Sequence, residues 1–284
     1  MIKVLNPGFY TTIQDLGRFG YRNHGVPISG CMDAISANLA NALLNNMNTD
    51  AVLEIALAGP KLLFSTKTII AITGADMSPK INNKIISKNE PIEIFEGDVL
   101  SFGELKNGAR SYLAVKNGFD SELILNSRSQ FSNISIRDRL KKNDNLKICG
   151  NSNKLKPNNI FNKNKKPFFN TDSIEITSGP EFDLFSKEEI DKVLNQKFTI
   201  SKDNNRMGYQ MEEVTIKHNN SMITSPVIPG TVQLLPSGKI IILMKDAQTT
   251  GGYPRIFQLT DFSIAVLAQK QAMDKINLKL VKLS

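Results

Sequence analysis

The sequence has few of the side chains on which many enzyme classes depend. Its 284 residues include two cysteines, Cys31 and Cys149, two histidines, His24 and His218, and no tryptophan. Two thiols can form at most one disulfide, and so few Cys and His residues argue against a zinc site in this chain. A Ser-His-Asp triad would have to use one of the two histidines. His24 lies in a polar loop and is a candidate general base, whereas His218 lies in a polar turn and is expected to be inert.

Long apolar segments are also missing. The longest apolar runs have five residues, as in Ile240–Met244, whereas a membrane-spanning helix needs about 20. The first residues, MIKVLNPGFY, have no apolar core of the kind found in secretory signals. We therefore expect a cytoplasmic protein that does not act on a membrane.

The net charge of +8 suggests a nucleic-acid partner, but its distribution argues against one. Eight lysines, one arginine and one aspartate lie between Arg139 and Lys166, and the rest of the chain is balanced. This tract is rich in asparagine and has no aromatic residue before Phe161, although bases would need aromatic side chains for stacking. We interpret the tract as a polar, solvated insertion. The chain also lacks a P-loop and a G-x-G-x-x-G motif, so any ATP is expected to bind with or through a partner chain.

Short strands separated by turn residues dominate the pattern, which favours β-barrels or sandwiches. A weak internal echo relates the sequence around Leu53-Glu54-Ile55 to that around Ile174-Glu175-Ile176, which indicates a duplicated β domain. The predicted strands are Lys67–Thr73, Pro91–Glu96, Asp98–Gly103, Ser111–Lys116, Ser173–Ser178, Lys197–Ser201, Thr231–Leu235, Lys239–Lys245, Ser263–Gln269 and Lys275–Leu283.

Two helices interrupt the strands. Residues 32–46 form the first, with Met32, Ile35, Leu39 and Leu43 at helical spacing on one stripe. The second follows Ser186, which with Glu189 has the S-x-x-E form of a capping box. Both helices are expected to cover an open face or end of a barrel.

The N-terminal block TIQDLGRFGYRNHGVPISGCMD, residues 12–33, is dense in glycine and polar residues. Loops of this composition are common in binding sites. Asp15 and Arg18 are candidates for such a site, but their spacing also allows a purely structural ion pair. Asp33, at the start of the first helix, is a candidate for ligand binding or for capping that helix.

A second candidate site follows the run Ile240–Met244, which we expect to be buried on both faces. Lys245, Asp246, Gln248, Thr249 and Thr250 come next, followed by two glycines. A cation, a carboxylate and neutral hydrogen-bonding groups at the end of a rigid strand can hold a small polar substrate. Alternatively, Asp246 and the threonines satisfy the backbone of the turn. Arg206 has the same two interpretations, as a fork for an anionic ligand or as a partner of an acidic side chain.

These blocks together resemble the KipA-like family, also called allophanate hydrolase subunit 2 or biotin-dependent carboxyltransferase-like proteins, whose bacterial members include the C subunit of 5-oxoprolinase. The resemblance covers nearly the whole chain. It is carried by six ordered blocks: TIQDLGRFGYRNHGVPISGCMD, LEIALAGP, SGPEFDLF, NRMGYQMEE, SPVIPGTVQLLPSGK and KDAQTTGGYPRI.

The resemblance implies a mainly β fold of two cyclophilin-like β-barrel domains with a few short helices. We expect the domains to span residues 1–118 and 119–284, with an Asn/Lys-rich insertion near 139–166. It also implies a subunit of an ATP-dependent 5-oxoprolinase, which opens 5-oxoproline to glutamate. Its partners would be a KipI-like chain, the B subunit, together with a LamB/YcsF-like chain, the A subunit. The chain would thus be part of an amide hydrolase that is active only in the complex.

The site residues implied by the matching blocks fall into two groups, and no metal ligand is among them. The expected catalytic residues are Asp246, Gln248 and Asp15. The expected substrate-binding residues are Arg18, Ser29, Asp33, Arg206, Tyr209, Gln233 and Thr250.

Two other functions stay open. The first is the carboxyltransferase half of a urea carboxylase-like enzyme, which moves CO2 from carboxybiotin to a urea-like acceptor. The second is a non-catalytic regulatory protein that binds a KipI-like kinase inhibitor. Turnover of 5-oxoproline would separate both from the leading hypothesis.

Overall fold

A computed structural model describes residues 1–150, 167–220 and 222–282 of the chain. Within these residues the protein is mainly β, with a nearly closed, barrel-like sheet and three α-helices, which confirms the predicted fold class. Contacts between residues divide the chain into two units. Most of the Asn/Lys-rich tract, residues 151–166, lies outside the described residues.

The first unit comprises Met1–Arg18 and Ser29–Pro167, and the second comprises Phe19–Ile28 and Phe168–Ser284. This division differs from the expected boundary between residues 118 and 119 in two ways. Residues after 118 group with the first unit because they pair with its strands, as Asn145 and Leu146 do with Lys3 and Ile2. The short segment Phe19–Ile28, called here the N-terminal strap, groups with the second unit.

Two sheets form the first unit, in the strand orders β11-β1-β4-β9-β6-β7 and β2-β3-β10-β5-β8. A core of aliphatic side chains, including Val4, Leu53, Leu62 and Leu113, consists of residues from both sheets. The strands are β1 (Ile2–Asn6), β2 (Tyr10–Gln14), β3 (Val52–Ala56), β4 (Lys61–Phe64), β5 (Thr68–Asp76), β6 (Lys80–Ile81), β7 (Lys84–Ile85), β8 (Ile92–Ile94), β9 (Val99–Ser101), β10 (Asn107–Val115) and β11 (Asn145–Leu146).

Helix α1 (Ala34–Leu43) packs against β3, β5 and β10 of the five-stranded sheet. Its predicted stripe is buried only in part: Leu43 is buried and Leu39 half-buried, but Ile35 is exposed, whereas Ser36, Ala37 and Ala40 are buried. Small side chains let the helix approach the sheet closely, so its buried face also includes small residues that the apolar stripe left out.

One seven-stranded sheet dominates the second unit, in the order β13-β20-β12-β19-β16-β17-β14, and β15 pairs with β18 beside it. Strands β12 and β20 run parallel, and the other pairs are antiparallel. The strands are β12 (Ser173–Ser178), β13 (Lys197–Thr199), β14 (Gly208–Val214), β15 (Ser225–Pro226), β16 (Thr231–Leu234), β17 (Lys239–Leu243), β18 (Thr250–Gly251), β19 (Arg255–Leu259) and β20 (Lys275–Leu280).

Two helices belong to this unit. Helix α2 (Lys187–Leu194) begins with the predicted capping box, since the Ser186 hydroxyl accepts from the Glu189 N–H and the Glu189 carboxylate accepts from the Ser186 N–H. Helix α3 (Asp261–Ala268) occupies the region predicted as the strand Ser263–Gln269, so that prediction is wrong. The run Ile264–Ala268 is apolar at every position and buried throughout, and such a run carries no periodicity that separates helix from strand.

Candidate functional site

The loop after β17, residues 245–254, is anchored by a buried ion pair. Asp246 receives two hydrogen bonds from the Arg206 guanidinium, from Nε to Oδ2 at 2.7 Å and from Nη2 to Oδ1 at 3.2 Å. The Asp246 N–H also donates to the Arg206 carbonyl at 2.8 Å. Only 7% of the Asp246 side chain and 8% of the Arg206 side chain are exposed. Of the two interpretations of Arg206, the structure shows pairing with an acidic side chain.

The exposed polar groups of this loop lie just beyond the ion pair. The side chains of Gln248 and Thr250 are exposed, and β17 before them is buried except for the half-buried Lys239 and Ile241. The backbone at Gly251 lies close to the side chain of the buried Gln233, since a Cβ there would be 2.4 Å from Gln233 Nε2. The loop therefore presents Gln248 and Thr250 from a backbone held in place, as a binding site requires.

Tyr209, expected to bind substrate, is fully buried. It lies opposite Ile242 on β17, and Ile242 lies opposite Val232 on β16. All three side chains have no exposed area, so the ring belongs to the core of the seven-stranded sheet. Its role in substrate binding stays a prediction.

The N-terminal strap meets this loop within the second unit. The Arg22 guanidinium donates from Nη2 to the carbonyls of Val227 and Thr249, the latter at 3.2 Å. Burial lowers the pKa of Arg22 from its usual value. Nothing in the sequence distinguishes Arg22, since its partners lie more than 200 residues away and no local pattern reveals them. His24, the candidate general base, lies in a short 3₁₀ turn next to Arg22 and is exposed.

In the first unit, Asp15 has a dense set of hydrogen-bond donors. Its Oδ1 accepts from the hydroxyls of Ser127 and Ser129, each at 2.6 Å, and from the Gly17 N–H at 2.8 Å. Its Oδ2 accepts from the Arg128 N–H at 2.6 Å. Arg18 donates to the Ser129 carbonyl. Asp15 and Arg18 thus both hold the segment 127–129 against the end of β2.

Asp33 is the N-cap of α1. Its carboxylate accepts from the Ser36 N–H at 2.9 Å and from the Ser36 hydroxyl at 2.6 Å. Ser29 has a positive φ of 57° and no exposed area. The structure therefore shows that Asp33 caps the helix. Ligand binding by Asp33 and by Ser29 stays a prediction.

A buried polar network that was not predicted from the sequence supports this helix start. The Glu54 Oε2 accepts from the Met32 N–H at 2.7 Å and from the Tyr112 hydroxyl at 2.8 Å. The Tyr112 oxygen in turn accepts from the Asp33 N–H at 2.8 Å. Burial, reinforced by the charge of Glu54, raises the pKa of the Tyr112 phenol well above its usual value. A glutamate inside the apolar strand pattern LEIA was the available signal.

The model of the family described as "Carboxyltransferase domain, subdomain A and B" matches residues 24–280. The chain belongs to this carboxyltransferase-domain family. It is 31% identical to the 5-oxoprolinase C subunit of Escherichia coli over 95% of this chain and 87% of that protein. The same identity holds for the 5-oxoprolinase C subunit of Haemophilus influenzae, over 100% and 92%. The crystal structure of the Kluyveromyces lactis urea amidolyase superposes with a TM-score of 0.87 and 31% identity, over 99% of this chain and 19% of that one.

The carboxyltransferase-domain match includes most of the expected site residues but not all of them. It begins after Asp15 and Arg18 and includes the other eight: Ser29, Asp33, Arg206, Tyr209, Gln233, Asp246, Gln248 and Thr250. In the part of the chain that the structure describes, no group of three or more His, Cys, Asp or Glu side chains is arranged to hold a metal ion. None of the helices described there is long and apolar enough to cross a membrane.

Proposed function

We propose that this chain is a subunit of a cytoplasmic, ATP-dependent 5-oxoprolinase. The observation that carries the proposal is the similarity to the two bacterial 5-oxoprolinase C subunits, which extends over nearly the full length of both. Membership of a multi-subunit enzyme implies partner chains. By the family resemblance these are a KipI-like chain and a LamB/YcsF-like chain, with ATP bound with or by a partner.

The reaction explains why ATP is needed. The five-membered lactam of 5-oxoproline is an amide, and its carbonyl carbon is a poor electrophile. Transfer of the γ-phosphoryl group of ATP to the lactam oxygen turns that oxygen into a leaving group. Addition of water at the carbon and cleavage of the C–N bond then leave an acyl phosphate on the side chain of glutamate. A second water hydrolyses this acyl phosphate, and the products are glutamate, ADP and inorganic phosphate.

We divide the expected residues between two roles. Gln248 and Thr250 are exposed, and we assign them to direct contact with the substrate. Asp246 and Arg206 are committed to each other, and we assign them to positioning the loop that carries Gln248. Asp15 likewise acts by positioning, because four donors already surround its carboxylate.

Reconstitution tests the proposal directly. The chain is mixed with a KipI-like and a LamB/YcsF-like chain, and phosphate release from ATP is measured with and without 5-oxoproline. We expect release that depends on 5-oxoproline and on all three chains. Gln248→Ala and Thr250→Val should reduce it at least tenfold, whereas Gln196→Ala, a polar residue that follows α2, should not. Binding of a KipI-like chain without any turnover would instead indicate the regulatory function.

The superposition on urea amidolyase favours a second candidate, a carboxyltransferase half. In that case the same loop would accept CO2 from carboxybiotin and pass it to urea or a similar acceptor. Transfer of labelled CO2 from carboxybiotin to urea, with no phosphate release driven by 5-oxoproline, would select this function over the first.

A further inference from the structure

A cleft of about 410 Å³ lies in the first unit, and none of its lining residues belongs to the candidate site described above. It is called here the basic cleft. One wall is the turn from Pro7 to Thr11, which leads from β1 into β2, and the other is the segment 139–142. No function described above uses either wall.

The basic cleft has a concentrated positive charge. Arg139, Lys141 and Lys142 line it, all three exposed, and none of the lining residues is Asp or Glu. Asp138 lies 3.9 Å from Arg139, but both are about half-exposed, and such pairs are worth little. Asp144, the next acidic residue along the chain, is already paired with Arg137. The three cations therefore favour an anionic ligand.

Two aromatic rings accompany these cations. The Arg139 guanidinium lies over the Tyr10 ring, 5.9 Å from its centroid, in a cation–π arrangement that orients its planar fork. Phe9 lines the same cleft and is 67% exposed. A large exposed ring beside a cationic array offers a stacking surface for a planar base. Simple anions would have no use for that ring.

The backbone of both walls is held in place. The Leu140 N–H donates to the Thr11 carbonyl at 2.8 Å, which ties the basic segment to β2. The Phe9 N–H donates to the Ala58 carbonyl at 2.9 Å. Gly8 has a φ of 74°, and a Cβ there would lie 2.4 Å from the same carbonyl. The ring and the cations are thus presented from a fixed frame rather than from a free loop.

We propose that the basic cleft binds a nucleotide. Arg139, Lys141 and Lys142 hold its phosphate groups, and Phe9 stacks on its base. This site shares no residue with the proposed 5-oxoproline site on the loop 245–254. It depends neither on the partner chains nor on turnover.

Equilibrium binding to the full-length chain tests the proposal, with ATP, inorganic triphosphate and adenosine as probes. We expect saturable ATP binding that is tighter than that of triphosphate, because only ATP uses the ring. Lys141→Gln combined with Lys142→Gln should weaken both ATP and triphosphate at least tenfold. Phe9→Ser should weaken ATP about fivefold or more, the range for loss of one stacked base, and leave triphosphate unchanged. Lys84→Gln, an exposed lysine of β7, should change neither.

Specific results would overturn the proposal. Equal affinity for ATP and triphosphate, with no effect of Phe9→Ser, would show a site for polyanions without base recognition. Absence of saturable ATP binding, or equal losses in Lys84→Gln and in the double lysine variant, would show that no nucleotide site exists there. All substituted side chains are exposed, so the variants are expected to fold, which circular dichroism verifies.

Discussion

Asp15 and Asp246 are the two carboxylates that were expected to be catalytic, and both already accept hydrogen bonds from their own unit. Asp15 accepts four hydrogen bonds, and Asp246 accepts two from one guanidinium. Both carboxylates stabilise the loops around the candidate sites. Their polar loop context was visible in the sequence. Their partners were not, since Ser127 and Arg128 are more than 110 residues from Asp15.

Asp15→Asn should destabilise the protein by about 3 kcal/mol, because an amide keeps one acceptor and turns an NH2 group toward donors that then lose their partner. Urea unfolding of the purified chain measures this loss. Asp138→Asn, on a half-exposed side chain of the same unit, should stay within about 0.5 kcal/mol of the wild type. Equal stability of the two variants would contradict the role of Asp15 in holding the segment 127–129 in place.

Asp246→Ala should cost about 3–5 kcal/mol in the free energy of unfolding, because it leaves the buried Arg206 charge without its partner. Replacing both residues, with Arg206→Met and Asp246→Leu, should cost less than the single change. A double-mutant cycle in urea measures the coupling. If Asp246→Ala were as stable as the wild type, the ion pair would not be an anchor of the loop. Activity lost in Asp246→Ala must be interpreted against this loss of stability.

Glu181 predicts a dependence of stability on pH. Its carboxylate accepts from Arg255 Nη2 at 2.5 Å and from Nε at 2.8 Å, and this hydrogen bonding lowers the pKa of Glu181 below its usual range. A lowered folded-state pKa means that the stabilisation is fully present above the unfolded pKa of about 4.3. It is lost as the pH falls through the lower folded-state value.

Glu181→Gln should therefore destabilise the protein at pH 7 and make little difference near pH 3. Denaturant unfolding at several pH values gives the difference between variant and wild type. Glu96→Gln, an exposed glutamate, serves as the matched control and should show no such trend. A difference for Glu181→Gln that is constant with pH would exclude the proposed linkage.

At the scale of elements, predictions succeeded where local chemistry decides and failed where packing decides. The capping box of α2 was predicted because Ser186 and Glu189 satisfy each other locally. Nine of the ten predicted strands overlap observed ones, because turn residues bound them. Helix α3 was missed because its apolar residues have no period. The buried face of α1 was predicted only in part, because close packing also buries its small residues.

The backbone before α1 is tightly packed, and a substitution at Gly30 tests this packing. Gly30 has a φ of 84°, and a Cβ there would lie 2.7 Å from the Leu16 carbonyl oxygen. Gly20 has a similar φ of 89°, but a Cβ there would meet nothing within 4 Å. Gly20→Ala should cost only the left-handed strain of about 1–2 kcal/mol. Gly30→Ala should cost clearly more in urea unfolding, and equal costs would show that the contact with Leu16 relaxes freely.

At the scale of the whole molecule, the class of fold and the family were predictable, whereas the path of the chain was not. Six ordered sequence blocks indicated the family that residues 24–280 confirm. The assignment of Phe19–Ile28 to the second unit depends on contacts between residues far apart in sequence. Arg22, which makes such contacts, looks like any other arginine in a polar loop. Its importance follows only from the carbonyls of Val227 and Thr249.

The hydrogen bonds from Arg22 to Val227 and Thr249 predict a local effect on hydrogen exchange. Val227 and Thr249 are themselves joined by a backbone hydrogen bond of 3.1 Å beside the β15–β18 pair. Arg22→Leu removes the donor to both carbonyls, and the pair should then open more often. Hydrogen exchange should speed up at least tenfold at the Val227 amide, since about 1.4 kcal/mol of lost local stability has this effect.

Hydrogen exchange at other amides is the internal control for this prediction. The amides of β3 in the first unit should be unaffected by Arg22→Leu, because no bond of Arg22 described above reaches them. Lys202→Leu, on an exposed lysine of the second unit, should leave the Val227 amide as protected as in the wild type. Uniform acceleration in β3 and at Val227 would indicate global destabilisation. The strap would then be one contributor to overall stability rather than the local fastening of the loop that carries Gln248 and Thr250.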